Sequence, residues 1–157
     1  MSEPTPPAQE CAVLFADLVG STQLYQRVGD SPAFELVDRS IREMRIAVET
    51  KRGRVVKHTG DGLMAVFRDA DSAADATLAI HQALKELPAT PDQRLAVRIG
   101  FHFGAVVASG TDVFGDTVNF AARLAELASP GKAITSAETA RRLAGGERPR
   151  RGPRARG

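Results

Sequence analysis

The pattern of hydrophobic and polar residues predicts a strand and a hairpin in the first half of this chain. The segment Cys11–Leu18 is apolar until it reaches Asp17, which predicts a buried strand that ends near a carboxylate. Two strand-like segments, Arg54–Thr59 and Leu63–Phe67, flank the sequence Gly-Asp-Gly. This arrangement predicts a hairpin with Asp61 at its tip.

Further strands are predicted in the second half of the chain. Every second residue over 95–103 is apolar, and this period of two predicts a strand that is buried on one face. We expect Gly104 to mark a bulge or bend before a continuation at Ala105–Ala108. Residues 110–115 are expected to form a loop, and Lys132–Thr135 a short strand.

Helices are predicted by apolar residues three or four positions apart and by capping residues at their starts. A short helix is expected at the turn Gly20-Ser21-Thr22, where a hydroxyl would cap the first turn. Longer helices would begin at Ser31 and Ser72, followed by Thr117–Leu127 and a last helix with Thr135 in its capping box. The apolar stripes of the two long helices are expected to be Phe34, Val37, Ile41, Met44 and Val48 in the first, and Ile80, Ala83, Leu84 and Leu87 in the second.

This order of elements predicts an α+β fold. Long helices that join hairpins would pack on one face of a mainly antiparallel sheet, which is the arrangement of a ferredoxin-like sandwich. We expect residues 1–9 to form a flexible leader, residues 10–145 one folded domain, and residues 146–157 a basic, disordered tail.

The composition is that of an ordinary globular protein, with 43% hydrophobic and 25% charged residues in a chain of 157. No apolar run approaches the ~20 residues that a membrane span needs, and the first ten residues lack the features of a signal peptide. We therefore expect a cytoplasmic protein that does not contact a membrane. The single cysteine, Cys11, opens an apolar strand, and we expect it to be a buried small hydrophobic residue.

The net charge of +2 is unevenly distributed. Residues 141–157 contain seven arginines and one glutamate, a net charge of +6, which leaves the remainder at −4. A basic tail can contact nucleic acid, lipid or a polyphosphate. Solvated disorder is the simpler interpretation, because this tail has nothing to bury, and the acidic body does not predict a nucleic-acid partner.

Asp17 and Asp61 are the first candidates for chemistry. Each of them alone is typical of an ordinary turn. In a ferredoxin-like sheet the first strand commonly lies beside the central hairpin, so the end of that strand and the hairpin tip can converge. Two carboxylates beside a Gly-Ser-Thr turn with exposed amides could bind two Mg²⁺ ions and the phosphates that accompany them. The residues alone thus favour metal-dependent phosphoryl chemistry on a nucleotide.

Four segments resemble the successive motifs of the class III adenylyl and guanylyl cyclases. They are FADLVGST (15–22), VVKHTGDG (55–62), VRIGFHFG (97–104) and DVFGDTVNFAARL (112–124). Any one of them is weak evidence, whereas four in the family's order, over about residues 10–140, are specific. The resemblance implies a catalytic domain that converts ATP to cyclic AMP, by attack of the ribose 3′-oxygen on the α-phosphorus with departure of pyrophosphate.

The resemblance implies roles in metal and phosphate binding. Asp17 and Asp61, assisted by the backbone carbonyl of Leu18, would bind two divalent cations, Mg²⁺ or Mn²⁺. Arg98 lies on the face of its strand opposite the apolar residues and is a candidate for a further phosphate contact. The polyphosphate would be held by the backbone of the turn, where the implied substrate-binding residues are Val19, Gly20, Ser21 and Thr22.

Base recognition is implied at Lys57 and Asp112. Lys57 falls at the family's base-reading lysine and Asp112 at its base-reading acid, and the resemblance also places Val113 and Val118 in the substrate site. A lysine donor and an aspartate acceptor complement N1 and N6 of adenine, whereas guanine presents O6 and N1–H at those places. ATP is therefore the expected substrate, with GTP as the alternative.

Asn119 and Arg123 lie four residues apart on one predicted helix, and thus on the same side of it. In the family this pair orients the ribose and stabilises the transition state. A guanidinium is suited to that task, because it can neutralise charge that develops on the α-phosphate oxygens. His102, in contrast, is expected to be a structural histidine rather than a catalytic base.

The resemblance also implies a partner. In the family the active site lies between two cyclase domains: one supplies the aspartates, and the other supplies the lysine, the base-reading acid, the asparagine and the arginine. This chain contains both sets, so a head-to-tail homodimer with two equivalent sites is expected. Lys57 and Asp61, although close in sequence, would then serve opposite sites.

One departure from the family pattern and two other classes of function stay open at this stage. Family members usually continue past the last helix with a strand pair that carries a phosphate-contacting lysine, and no matching residue is found here. Either another basic residue, such as a tail arginine, replaces it or triphosphate binding is weaker. A non-catalytic nucleotide-binding module would keep the fold but lose ligands, and a nucleic-acid binder would depend on the basic tail.

Overall fold

The computed structural model describes residues 8–87, 89–90 and 93–143. Strand β1 begins at Ala8, and the rest of the expected leader, like the tail from residue 144, lies outside the described residues. None of the described helices is long and apolar enough to cross a bilayer. The elements are β1 (Ala8–Val19), α1 (Ser21–Val28), α2 (Asp30–Thr50), β2 (Arg54–Thr59), β3 (Gly62–Phe67), α3 (Ala70–Glu86), β4 (Ala96–Ser109), β5 (Asp112–Phe114), α4 (Asp116–Leu127), β6 (Ala133–Thr135) and α5 (Ala137–Ala140).

The strands form one mainly antiparallel sheet in the order β2-β3-β1-β4-β5. The first strand lies beside the central hairpin, as the sequence predicted, and its other edge pairs with β4. Strand β4 is long enough to pair twice on its other side. Its residues Ile99–Phe101 pair in parallel with β6, and Val107–Ser109 pair with β5. The predicted α+β fold with a mainly antiparallel sheet is confirmed.

The main core lies between one face of this sheet and helices α1, α2 and α3. Alternate side chains of β1 and β4 point to this face, because successive residues of a strand point to opposite sides. Each fully buried large aliphatic side chain contributes roughly 1.5–3 kcal/mol to folding. The most completely buried are Leu14, Leu24, Met44, Val48, Leu63, Phe67, Ile80 and Ile99.

Helix α4 packs on the opposite face of the sheet, so the expectation that the helices lie on one face does not hold for α4. Two glycines of β4 make the close approach possible. A Cβ at Gly100 would lie 2.2 Å from the Ala125 nitrogen, and a Cβ at Gly104 would lie 2.5 Å from the Thr117 hydroxyl. Gly104 therefore makes room for a helix, and β4 continues through it as one strand.

The loop that was expected over residues 110–115 contains a strand. β5 pairs with the end of β4, with Val107 opposite Phe114 and Ser109 opposite Asp112. The turn between the two strands contains Gly110, whose φ of 61° lies in the left-handed region that favours glycine. Three residues are too few for a periodic signal, which is why the sequence pattern did not predict β5.

The first residues of the two long helices differ from the prediction. Helix α2 begins at Asp30 instead of Ser31. Helix α3 is capped by Asp69, whose carboxylate accepts a hydrogen bond of 2.7 Å from the Ser72 amide. The prediction of Ser72 as the cap was wrong because two residues of suitable type stand three positions apart and only the backbone conformation distinguishes them.

Two smaller expectations also fail. The last helix is capped by Ser136, which accepts a hydrogen bond of 3.1 Å from the Thr139 amide. Thr135 instead donates its hydroxyl to the Phe101 carbonyl at 2.6 Å. Phe34, predicted to be part of the apolar stripe of α2, is 63% exposed.

Candidate active site

Asp17 and Asp61 are brought together by the pairing of β1 with the central hairpin. Asp17 lies opposite Gly62 in the β1–β3 register. The Leu18 amide donates a hydrogen bond of 3.0 Å to the Asp61 carbonyl, which attaches the hairpin tip to the end of β1. The strand end and the hairpin tip therefore meet, as the sequence predicted.

The second glycine of the Gly-Asp-Gly turn is required by this approach. A Cβ at Gly62 would lie 2.1 Å from the Ala16 carbonyl oxygen and 2.5 Å from Asp17 Oδ1. The first glycine has a different role, since Gly60 has a φ of 57° at the first position of a two-residue loop. The turn thus needs glycine at both positions: at Gly60 because of its backbone conformation, and at Gly62 because a side chain would collide with Asp17.

Helix α1 begins directly beside the two aspartates. Gly20 precedes it with a φ of 95°, and the Ser21 hydroxyl donates a hydrogen bond to the Asp61 carboxylate instead of capping the helix. The amides of Ser21 and Thr22 lie in the first turn, where they have no acceptor within the helix. Amides without an acceptor in the helix and the positive end of the helix dipole favour an anion at this position.

The Asp17 carboxyl is half-buried in a mixed electrostatic environment. Burial raises its pKa above the ordinary value, and the charge of Arg98, which lies opposite Asp17 in the β1–β4 register, opposes that rise. The Thr59 hydroxyl donates to Asp17 Oδ1 at 3.4 Å. An ionised carboxylate here has only part of the solvation it would have in water, and a bound cation would replace the rest.

The available donors fit a hard divalent cation. The side-chain oxygen ligands at this point are the carboxylates of Asp17 and Asp61. In the part of the chain that the structure describes, no group of three or more His, Cys, Asp or Glu side chains is arranged for a metal. Few protein ligands, with substrate phosphates and water completing the shell, are typical of Mg²⁺ bound together with a nucleotide.

Arg98 lies beside Asp17 on the neighbouring strand, and part of its hydrogen-bonding capacity is used within the protein. Its Nη1 donates to the Glu126 carbonyl near the end of α4 at 3.3 Å, while its buried Nε has no partner among the described residues. The contact of Arg98 with phosphate stays a prediction.

Lys57 and Asp112 meet although they lie on opposite edges of the sheet. Lys57 Nζ donates to Asp112 Oδ2 at 3.2 Å, and Asp112 Oδ1 accepts from the Val113 amide at 2.8 Å. The hydrogen bond from the Val113 amide and the hydrogen bond and charge of Lys57 hold the pKa of Asp112 below its ordinary value. Its carboxylate is therefore an ionised acceptor. Val113 and the partly buried Val118 lie in a small apolar cluster on the α4 face of the sheet.

The side on which Lys57 lies is set by a β-bulge. The β2–β3 register shifts between Val55 and Lys57, so Lys57 is opposite Met64. Met64 belongs to the apolar cluster on the α4 face. Without the extra residue, the lysine would lie on the face that α2 and α3 cover.

Asn119 and Arg123 are exposed on α4, on the side away from its buried residues Ala121, Leu124 and Ala125. Neither side chain forms a hydrogen bond or ion pair with the described residues, so the structure does not bring them to the aspartates of the same chain.

His102 has the structural role that the sequence suggested. Its Nδ1 lies 2.8 Å from the Ser136 hydroxyl and 3.2 Å from the Thr139 hydroxyl, and its ring packs edge-on against Phe120 with 4.5 Å between centroids. Burial lowers the pKa of His102, which favours the neutral ring. These contacts attach the start of α5 to β4 and engage the Nδ1 nitrogen of the ring.

Arg54 is a residue that the sequence reasoning missed. Its Nη1 donates to the Thr111 carbonyl at 2.9 Å, next to Asp112. No sequence signal identifies it, because an arginine at the start of an exposed strand is ordinary and the contact depends on the shape of the whole sheet.

Comparison with known proteins agrees with this geometry. The family model of the adenylate and guanylate cyclase catalytic domain matches residues 3–153. The adenylate cyclase of Streptomyces coelicolor is 37% identical over 117 residues, which are 74% of this chain and 30% of that protein. The adenylate cyclase of Glutamicibacter nicotianae is 35% identical over 132 residues, 84% of this chain and 32% of that protein. The chain thus spans less than a third of the length of either relative.

Solved structures show the same fold. The adenylate/guanylate cyclase/hydrolase from Silicibacter pomeroyi is 34% identical with a TM-score of 0.69, over 85% of this chain and 78% of that one. The adenylyl cyclase CyaB from P. aeruginosa has a TM-score of 0.76 at 22% identity, over 87% of this chain and 81% of that one. With the family model matching almost the whole sequence, the chain belongs to the adenylate and guanylate cyclase catalytic domain family.

Proposed function

We propose that this domain is an adenylyl cyclase, which converts ATP to 3′,5′-cyclic AMP and pyrophosphate. The observation that carries the proposal is the grouping of Asp17 and Asp61 at the first turn of α1, where the Ser21 hydroxyl and the Leu18 amide bond to Asp61. Membership of the cyclase family and the relatives named adenylate cyclase support it.

The residues at this site have separate roles in the proposed reaction. Asp17, Asp61 and the Leu18 carbonyl would hold two Mg²⁺ or Mn²⁺ ions. Such ions favour deprotonation of the ribose 3′-hydroxyl and neutralise charge at the α-phosphate. The amides of Ser21 and Thr22 would orient the polyphosphate at the helix start. Because the attack is intramolecular, positioning supplies much of the rate and no covalent nucleophile is needed.

ATP is the proposed substrate because of Lys57 and Asp112. The two side chains lie 3.2 Å apart, as a donor and an ionised acceptor on the same face. That pair complements adenine N1 and N6, while guanine would place its O6 acceptor opposite the carboxylate. A competition assay in which GTP is consumed as readily as ATP would contradict this assignment.

A head-to-tail homodimer completes the proposed site. Asn119 and Arg123 are exposed and do not contact the aspartates of their own chain. We propose that they reach the site of the partner, where Asn119 orients the ribose and Arg123 stabilises the charge that develops on the α-phosphate. Each protomer would then supply its aspartates to one site and its Lys57, Asp112, Asn119 and Arg123 to the other.

Mixing two inactive variants tests the whole proposal. Asp17→Ala and Asn119→Ala should each abolish Mn²⁺-dependent formation of cyclic AMP from ATP. If subunits exchange freely, half of the dimers are mixed and each has one intact site, so activity should return to about a quarter of the wild-type value. Phe34→Ala, at an exposed position of α2, serves as the control variant. No recovery after demonstrated subunit exchange would contradict the shared site.

A further inference from the structure

The two edges of the sheet meet on the α4 face. Strands β2 and β5 are the first and last strands of the path β2-β3-β1-β4-β5. In a flat sheet, four strand spacings would separate them by about 19 Å. Instead, Arg54 Nη1 bonds to the Thr111 carbonyl at 2.9 Å and Lys57 Nζ to Asp112 at 3.2 Å. The sheet is therefore strongly curled, and these two side chains join its edges.

The curl encloses a small apolar cluster. Val13, Met64, Val106, Val113 and Ala121 are buried there, with Cys11 partly buried beside them. Arg54 lies opposite Val66 in the β2–β3 register, and Val66 packs against this cluster. Burial raises the pKa of the Cys11 thiol, and the charge of Arg54 opposes that rise. Arg54 thus lies on the sheet face on which the base-reading residues lie.

The position of Asp112 depends on the turn that Arg54 holds. Asp112 directly follows Thr111, and only three residues of β5 pair with β4 beyond that turn. The ion pair of Lys57 with Asp112 is partly exposed, and exposed ion pairs contribute little to holding two segments together. The hydrogen bond from Arg54 to the Thr111 carbonyl is exposed as well, but it is a second attachment and it holds the main chain next to the carboxylate.

We propose that Arg54 is a positioning residue for base selection, which keeps the Asp112 carboxylate in register with Lys57. This inference rests on the proposed function, and it adds a residue of the β2 edge to those that determine the choice of nucleotide. Arg54 acts through Asp112, and its hydrogen bond is to Thr111 and not to Asp17, Asp61 or α1. Its loss should therefore change KM and the preference for ATP much more than kcat.

The test compares Arg54→Ala, Arg54→Lys and the wild-type chain, with Arg68→Ala as an exposed control at the end of β3. We measure kcat and KM for ATP and for GTP separately, with Mn²⁺. Arg54→Ala should lower the ratio of kcat/KM for ATP over that for GTP by about fivefold to tenfold, the net effect of one exposed hydrogen bond, mainly through KM for ATP. Arg54→Lys, which keeps one donor, should restore part of the ratio, and Arg68→Ala should leave it unchanged.

Two results would overturn the inference: an unchanged ratio in Arg54→Ala, or the same change in Arg68→Ala. A variant that is merely unstable would lose activity with both nucleotides, whereas the ratio would stay constant. If the wild-type chain forms no cyclic nucleotide, the proposed function fails. Calorimetric binding of ATP and GTP to the same four proteins then decides the inference, because the binding ratio of Arg54→Ala should shift in the same direction.

Discussion

Lys57 and Asp112 form an ion pair of 3.2 Å within one chain, across the two edges of a single sheet. The proposed readers of the base are therefore paired with each other before a nucleotide binds. Because they lie on the same face of one sheet, their spacing is set by the fold and not by the substrate. Binding of adenine would replace this ion pair by two hydrogen bonds to the base: Lys57 would donate to N1, and Asp112 would accept from N6.

The pairing predicts that substitutions at these two residues are not additive. Lys57→Ala and Asp112→Ala should each raise KM for ATP about tenfold or more and reduce the preference for ATP over GTP, because each leaves one group of the base without a partner. The double variant should lose less than the product of the two effects, since each single change already breaks the pair. Steady-state kinetics of the four proteins measures the coupling, and strictly independent effects would contradict a common base site.

Asp17 is predicted to reduce the stability of the metal-free protein. Burial raises the pKa of its carboxyl, so at neutral pH the ionised group opposes folding. Asp17→Asn should therefore raise Tm in EDTA and remove the stabilisation that Mn²⁺ gives to the wild-type protein. The gain should shrink as pH falls through the raised pKa and vanish below the ordinary value of 3.8, where the wild-type carboxyl is protonated in both states.

Thermal unfolding with EDTA or Mn²⁺, at several pH values, measures both effects. Asp75→Asn, an exposed change in the middle of α3, is the control. A lower Tm of Asp17→Asn in EDTA at neutral pH would contradict the assignment, because it would show that the ionised carboxylate stabilises the fold without a cation.

Gly62 and Gly60 provide a matched pair of substitutions in the same turn. A Cβ at Gly62 would collide with the Ala16 carbonyl and with Asp17, so Gly62→Ala should reduce the free energy of unfolding by about 1–3 kcal/mol and abolish activity. Gly60 has open space but a positive φ, so Gly60→Ala should lower stability by about 1–2 kcal/mol and keep most of the activity. Urea denaturation and cyclic AMP assays compare them, and equal losses of activity would contradict the role of Gly62 beside Asp17.

The convergence of Asp17 with Asp61 could be predicted from the sequence because two local patterns and one common strand order determine it. An apolar strand, a tight Gly-Asp-Gly hairpin and a common order of strands place both carboxylates at one end of the sheet. The pattern of the hairpin alone fixed the ends of β2 and nearly those of β3. The roles of these residues, in contrast, came from the resemblance to the cyclases and not from the pattern.

The parts that could not be predicted depend on distant contacts. The bulge at Val56 decides which face Lys57 occupies, yet nothing in the residues 54–59 indicates an extra position. The curl that brings Arg54 to Thr111 is a property of all the strands together. The sequence predicts a bulge or bend at Gly104, because a glycine that makes room for a helix looks the same in sequence as one that bends a strand.

The cap of α3 gives a test in which the sequence and the structure predict different residues. The Asp69 carboxylate accepts a hydrogen bond of 2.7 Å from the Ser72 amide, and the hydrogen bonds with Ser72 hold the pKa of Asp69 below its ordinary value. Asp69→Ala should therefore reduce the free energy of unfolding by about 1 kcal/mol at neutral pH. Ser72→Ala, which keeps the donating amide, should have a smaller effect, and so should the control Asp75→Ala.

The pH dependence of this cap follows from the direction of the shift. Because the folded pKa is depressed, the stabilisation is complete above the ordinary value of 3.8 and is lost as pH falls through the lower folded value. Asp69→Asn keeps a capping oxygen without a titrating group, so its stability should change less with pH than that of the wild-type protein. Urea denaturation from neutral to acid pH measures all four variants. A larger loss in Ser72→Ala than in Asp69→Ala would instead support the cap that the sequence predicted.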